Sequence, residues 1–505
     1  VQTCALPIYV SFANCGLPYH VGGVIAQRDS LLLQTPASLG ARFGLDVRVR
    51  QEAVAIDAAG RSVQVRNLAT GEVYDLEYDA LILSPGATPV RPPLPGIERA
   101  LTLRNVEDTD AIIAACADAT TAVVVGGGFI GIELAENLVH RGLQVTLVEA
   151  TPQVMAPIDP ELAAVVHDRL RDNGVDLRLG QSVAAIGADD VTLADGTRVA
   201  ADVVVAAIGV RPDTSLAVGA GLAVGERGGI RVDDQFRTSD PDVYAIGDAV
   251  EKVDAIDDSA SLVPLAQTAN LQGRRVADII MGRPAYGRPV LGTAIVGVFG
   301  LQVASTGWNE KRLRQAGRPY RAIHTHPGNH AGYYPGAEGM SLKLVVDAQT
   351  DEILGAQGVG GAGVHWNGQH WRVLPEELRL RSHVIERYGK SFIPEDMTIQ
   401  DFGVSYEELE PFFDFAEKVF GTSGQAWTVK GQLVGEGRGG NPYAPDRSNP
   451  FPLEAQKNTV SAQLFQKAAA EVGYKPYNLP SANTSGPYTN PYGAQMGPCN
   501  FCGFC

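Results

Sequence analysis

Basic charge is scarce in this chain. Across 505 residues, 41 Lys and Arg face 57 Asp and Glu, for a net charge of -16. With no basic stripe to offset that balance, nucleic acid is excluded as a partner. Long apolar runs are also lacking. No stretch reaches the roughly 18 consecutive apolar residues of a membrane-spanning helix, so no membrane span is expected. Cysteine is rare, with six residues at Cys4, Cys15, Cys116, Cys499, Cys502 and Cys505. That number suits a reducing cytoplasm better than a disulfide scaffold. The opening residues lack the basic start and apolar core of a secretory signal. What is left, with 45% hydrophobic residues, is a soluble globular chain long enough for about three domains.

One cysteine stands in a distinctive setting. Residues 11–23 read SFANCGLPYHVGG, and Cys15 has no second cysteine close by. Pro18 follows at the spacing of a first helical turn, where its missing N–H costs nothing. Cys15 is therefore placed at or just before a helix N-terminus, where backbone N–H groups and the helix dipole favour a thiolate. The alternative is a small buried core cysteine. Residues 1–8, VQTCALPI, are what GTT CAG ACG TGT GCT CTT CCG ATC encodes, which resembles a sequencing-adapter end. They are set apart from the fold, Cys4 included.

Farther on, alternation predicts strands at 45–50 and 53–57 and a hairpin over 62–78. Residues 80–84 form a short buried strand running into Pro85-Gly86-Ala87, where backbone can approach a ligand. Residues 121–125, TAVVV, are a buried strand followed at once by GGGFIG, a helix over 133–141, and a second strand ending at Glu149. A lone GxGxxG is weak. A full strand–turn–helix–strand unit with an acid about 20 residues on is a dinucleotide-binding fingerprint. Gly126, Gly128 and Gly131 let a pyrophosphate approach the helix N-terminus. Glu149 can accept both ribose hydroxyls and repels a 2'-phosphate, favouring NADH over NADPH. The alternative is a tight glycine turn without a ligand.

A helix over 161–173, a hairpin over 191–199, and buried strands at 202–208 and 242–246 follow. The last strand ends in Gly247-Asp248. An Asp there can reach a ribityl or ribose hydroxyl, or serve as a simple turn residue. Residues 262–281 read as a helix carrying Asn270. From 292 the pattern becomes α+β, with strands at 294–299, 303–308, 320–326 and 341–347 and a helix over 310–315. His324, His326 and His330 invite a metal reading, but no ligand set accompanies them, and no metal is expected.

SFANCGLPYHVGG, LILSPGATP, VVVGGGFIGIELAENL, AIGVRP and SDPDVYAIGDAV occur in that order. Together they resemble the pyridine nucleotide-disulfide oxidoreductases, flavoenzymes with nested FAD- and NAD-binding Rossmann-like domains. A single cysteine resembles the branch of coenzyme A-disulfide reductases, NADH oxidases and peroxidases, and persulfide reductases. The Asn-Cys-Gly-Leu-Pro-Tyr wording is similar to coenzyme A-disulfide reductase. The resemblance implies that Cys15 is the redox-active cysteine and that Ser11, Asn14 and Asn270 line the substrate site. It implies FAD contacts at Ser84, Gly86, Ala87, Gly247 and Asp248, and further cofactor contacts at Val54, Gly209 and Ala266. Gly126, Gly128, Ile130, Gly131 and Glu149 fall to NAD. Tyr333 or Tyr334 resembles a tyrosine reaching the partner subunit's active site in a homodimer. The family's first GxGxxG, roughly 30 residues before Cys15 by the size of one such unit, is not in the sequence. Weak FAD binding is therefore expected.

After residue 361 the composition shifts. GGAGVHWNGQHWR and GPCNFCGFC resemble the glucose–methanol–choline oxidoreductases, in the gluconate or sorbose dehydrogenase-like branch. No catalytic His of that family is matched. Cys499, Cys502 and Cys505 have a spacing that suggests a zinc or iron–sulfur ligand set, or plain thiols. Helices are expected over 375–388 and 405–420. The fold class is α/β. The expected domains are 1–8 non-native, 9–105 FAD-binding, 106–235 NAD-binding, 236–290 FAD-binding again, 291–361 a truncated α+β dimerisation domain, and 362–505 a loop-rich fragment. Two partial flavoenzymes meeting at the shared word GVGGAGV point to two joined sequences rather than one bifunctional enzyme.

Overall fold

Residues 121–125 and 203–206 are almost wholly Val and Ala, the composition of strands covered on both faces. In the computed structural model they lie side by side in a four-stranded parallel sheet, in the order Asp176–Leu179, Gln144–Glu149, Thr121–Val125, Val203–Ala206. Residues 1, 6–8, 330–336, 362–371, 394–398, 437–438, 459, 483 and 498–505 lie outside the described residues, and 2–5, 460 and 461 are described by backbone alone. Helices Phe129–His140 and Pro160–Asp172 follow the strands whose ends they leave. Their Ile132, Leu134, Leu138, Leu162, Val166 and Leu170 are all at most 2% exposed and join Val124 and Leu147 in one core. A three-stranded antiparallel meander, 183–200, completes this part.

The flanking segments meet each other, and Leu101 also bridges Val205 at the sheet's edge. Leu81–Leu83 pairs in parallel with Val243–Ala245, so chain before and after the dinucleotide unit shares one small sheet. This is the nesting implied by the resemblance. Gln51–Asp57, Ser62–Asn67 and Val73–Glu77 form the expected meander, with a bulge between Ala53 and Ala55. Gln2–Ala5, set apart in the sequence, pairs in parallel with Asp46–Val49. An open strand edge accepts any backbone able to extend.

Two helices begin several residues from where the sequence places them. The helix expected over 262–281 is Ala266–Ile280. Pro264 disfavours helical geometry at the residue before it and delays the start. The helix expected from 133 begins at Phe129, directly off Gly128. The α+β part is a five-stranded antiparallel sheet in which Ile353–Gly361 lies between Leu301–Gly307 and Met340–Asp347. Gly355 there has no room for a Cβ, which would lie 2.0 Å from the Trp308 carbonyl oxygen.

The second compact unit, Val364–Cys505, is built around helix Tyr406–Phe420, capped by Ser405 and Glu408 and ended by Gly421 at φ 65°. Glu417, 3% exposed, accepts from Nε and Nη2 of Arg372, both at 2.9 Å, and is shared with Arg447. The helix expected over 375–388 breaks at Arg379 into Pro375–Leu378 and Leu380–Tyr388. Among the described residues no helix is long and apolar enough to cross a membrane.

Candidate functional site

Cys15 lies in the 3-10 turn Asn14–Gly16 that leads into helix Leu17–Val21, with Pro18 in its first turn. Leu17 and Val21, 1% and 0% exposed, anchor that helix, and Leu31 closes on Gly16. The anchoring turns Cys15 outward. Its side chain is exposed, which removes the core-cysteine alternative. Among the described residues the buried thiol is Cys116, pushed up in pKa by burial. The helix has only five residues, so the dipole invoked for Cys15 is small.

The glycine turn divides its work among three positions. Gly126 has φ 108°, and a Cβ there would sit 2.4 Å from the Ala207 carbonyl oxygen. Gly131 lets the helix approach the strand, since its Cβ would be 1.9 Å from the Gly126 carbonyl oxygen. Gly128 instead faces open space, with nothing within 4 Å of its Cβ position. Tight turn, close packing and ligand approach thus fall to the three glycines as the dinucleotide fingerprint requires. Glu149 ends its strand with its carboxylate held by the Gly127 and Thr151 N–H groups at 2.7 and 2.8 Å.

A third wall comes from the nested segments. Gly86 at φ 75° and Ala87 close one side, and Asp248 projects from the turn after strand Val243–Ala245. Burial raises the Asp248 pKa, opposed by Lys252 and Arg104. Lys252, 5% exposed, donates to the Gly247 carbonyl at 2.8 Å, and burial lowers its pKa to about 8. Gln272 accepts from the Gly247 N–H at 2.8 Å, so the Gly247 peptide is gripped from both sides.

These walls enclose one cavity of about 2010 Å³, larger than the roughly 300–1,000 Å³ of a single small-ligand site. Ser11, Asn14, Cys15, Gly86, Ala87, Gly126, Gly128, Ile130, Glu149, Gly209, Asp248 and Ala266 all line it. Val54, Ser84, Gly131, Gly247 and Asn270 do not. Val54 falls at the strand bulge, Gly131 and Gly247 act from behind the wall through packing and hydrogen bonds, and Ser84 and Asn270 are exposed. Tyr333, Tyr334, His330, Cys499, Cys502 and Cys505 lie outside the described residues. His324 is bound to Glu161 and His326 to Ser341, at 3.1 and 3.2 Å.

The sequence reading missed Glu133, which lines the cavity from helix Phe129–His140. Burial, reinforced by Glu136, raises its pKa to about 7. A carboxyl group raised in this way favours the folded state below its unfolded pKa of 4.5, and that contribution is lost as pH rises through about 7. The apoprotein is therefore expected to lose up to about 3 kcal/mol between those limits, a loss that Glu133→Gln removes. Melting temperature against pH for both proteins checks it, and parallel profiles would contradict it.

The donor set fits both implied cofactors in part. The glycine turn, the helix start and Glu149 match a dinucleotide's pyrophosphate and ribose. Asp248, Gly86 and Ala87, with Cys15 on the same cavity, match the ribityl and ring end of FAD.

Residues 10–273 match the family described as pyridine nucleotide-disulphide oxidoreductase, and residues 293–367 match its dimerisation domain. The coenzyme A disulfide reductase of Staphylococcus haemolyticus is 33% identical over 358 residues, covering 70% of this chain and 81% of that protein. The gluconate 2-dehydrogenase flavoprotein of Pantoea cypripedii is 71% identical over 157 residues, covering 31% of this chain and 26% of that protein. The chain thus spans about a quarter of that relative's length. The reduced Bacillus anthracis CoADR-RHD structure superposes with a TM-score of 0.70 at 46% identity, over 72% of this chain and 66% of that one.

Proposed function

Because the chain belongs to the pyridine nucleotide-disulphide oxidoreductases, we propose that it reduces coenzyme A disulfide, or a related persulfide, with NADH through Cys15. The supporting observation is that Cys15, Asp248 and the Gly126–Gly128 turn line a single cavity. FAD bound there would relay the two electrons of NADH to sulfur; the protein's part is alignment. The Cys15 thiolate attacks one sulfur of the disulfide, forming a mixed disulfide and releasing the first thiolate. Two-electron reduction breaks that new bond, releases the second thiolate and restores Cys15. One proton is taken up per NADH, so coenzyme A disulfide, NADH and H⁺ give two thiols and NAD⁺. Ser11 and Asn14 flank the thiol and supply polar groups to the incoming substrate. Gly128 admits the pyrophosphate, and Glu149 takes the ribose hydroxyls, which favours NADH over NADPH.

The active form is read as a homodimer in a reducing compartment such as the cytoplasm, supported by the dimerisation-domain match and the few cysteines. Tyr333 or Tyr334 is assigned to the partner's site. A second reading, NADH oxidase, is favoured by the exposure of Cys15, which opens the thiol to small oxidants and a sulfenic acid cycle. The experiment is NADH oxidation by the FAD-supplemented protein, with coenzyme A disulfide under argon and with oxygen alone. Disulfide-dependent turnover is expected. Oxygen uptake alone would favour the oxidase. A colourless protein that binds NADH but no flavin would reduce the chain to a dinucleotide-binding module.

The second unit is read as a piece of a glucose–methanol–choline oxidoreductase, supported by the 71% identity to the gluconate 2-dehydrogenase flavoprotein. The unit boundary at 363 falls inside the shared glycine-rich word. Amplification of genomic DNA across codons 350–372 is expected to give no single continuous product. One continuous product would overturn the joined-sequence reading.

A further inference from the structure

The loop after Glu149 is clamped onto the glycine turn by side chains from the α+β part of the same unit. Met155 stands at φ 53°, a conformation a non-glycine residue adopts at a cost, yet it is 1% exposed. Its N–H donates to the Gly127 carbonyl at 2.8 Å. Val154 presses so closely that a Cβ on Gly127 would lie 2.7 Å from it. Gln153, Met155, Ala156 and Pro157 line the cavity beside Glu149.

The anchors lie more than 140 residues downstream. The Asn309 amide donates to the Ala156 and Pro157 carbonyls, both at 3.1 Å. Lys311 Nζ donates to the Ala156 and Ile158 carbonyls, both at 2.9 Å. Asp159, 0% exposed, receives Lys343 Nζ at 2.9 Å and Gln357 Nε2 at 2.7 Å, and its N–H donates to Gln357 Oε1 at 2.6 Å. The carboxylates of Asp159, Glu161 and Glu310 converge as if on a metal, but the fully buried Lys343 ammonium fills that point.

We propose that Asn309, Lys311, Lys343 and Gln357 are positioning residues for the dinucleotide: they hold the 153–159 loop, with Met155 in its left-handed conformation, against Gly127, and so set the turn and Glu149 for NADH. The proposal rests on the NADH reading above. It makes dinucleotide affinity depend on residues of the α+β part that do not belong to the fingerprint. Without the anchors, Met155 relaxes to negative φ and the loop leaves Gly127.

The test is NADH binding to the full-length protein, followed by fluorescence without flavin or turnover. Lys311→Met combined with Asn309→Ser, which keeps a helix-capping oxygen, is expected to weaken NADH binding about tenfold. Lys311→Arg should bind as the unmodified protein does. A merely structural role would lower the melting temperature of the double variant and leave its NADH affinity unchanged. Unchanged NADH affinity in the double variant, or an equal loss in Lys311→Arg, overturns the proposal. If the unmodified protein itself binds no NADH, the dinucleotide reading fails and this inference with it.

Discussion

Cys15→Ser is expected to lower coenzyme A disulfide-dependent NADH oxidation by at least about 10³-fold, the scale on which a covalent nucleophile is lost. A serine hydroxyl matches the thiol in shape, but it neither ionises near neutrality nor forms a reducible bond to sulfur. Fold and dinucleotide binding should be untouched. Cys15 is exposed and its turn is held by Leu17, Val21 and Leu31, and surface changes usually stay within about 0.5 kcal/mol. Melting temperature and NADH affinity are therefore expected to match the unmodified protein. Cys116, the other free thiol among the described residues, is buried and cannot substitute. A residual rate within tenfold of the unmodified protein would move the sulfur chemistry elsewhere.

Two alanine substitutions in the glycine turn should give opposite signatures. At Gly131 the new Cβ lies 1.9 Å from a backbone oxygen, and neither strand nor helix can yield cheaply. Gly131→Ala is expected to cost about 1–3 kcal/mol or more. That lowers the melting temperature by roughly 2–4 °C per kcal/mol and abolishes NADH binding as the helix start shifts. Gly128 has φ -79° and open space around its Cβ position. Gly128→Ala should leave stability unchanged or slightly raised, by up to about 1 kcal/mol, while the methyl group blocks the pyrophosphate. Calorimetry and NADH titration on both variants check this. Equal loss of stability would mean that Gly128 also packs against protein.

The parts of the site that could be read beforehand are those where local chemistry is self-sufficient. Gly126, Gly128, Gly131 and Glu149 carry their roles in spacing alone, because turn, strand end and helix start are contiguous. Cys15 was legible for the same reason, through Pro18 and Gly16. Glu133 was not. Its residue type suits any helix surface, and only packing raises its pKa. Strand Ile353–Gly361 hid behind its glycines, which weaken strand propensity but here admit the Trp308 backbone. The 153–159 loop was illegible because what holds it arrives from 309, 311, 343 and 357. Val54, Ser84 and Asn270 came from resemblance alone, and the cavity wall passes them by.

On the proposed function, the single thiol of Cys15 borrows its second sulfur from the substrate. The most direct test is the intact mass of the Cys15 peptide after incubation with coenzyme A disulfide, before and after NADH with added FAD. One coenzyme A adduct on Cys15, removed by NADH, is the predicted result. An unmodified or sulfenic Cys15 while NADH is still consumed would contradict it.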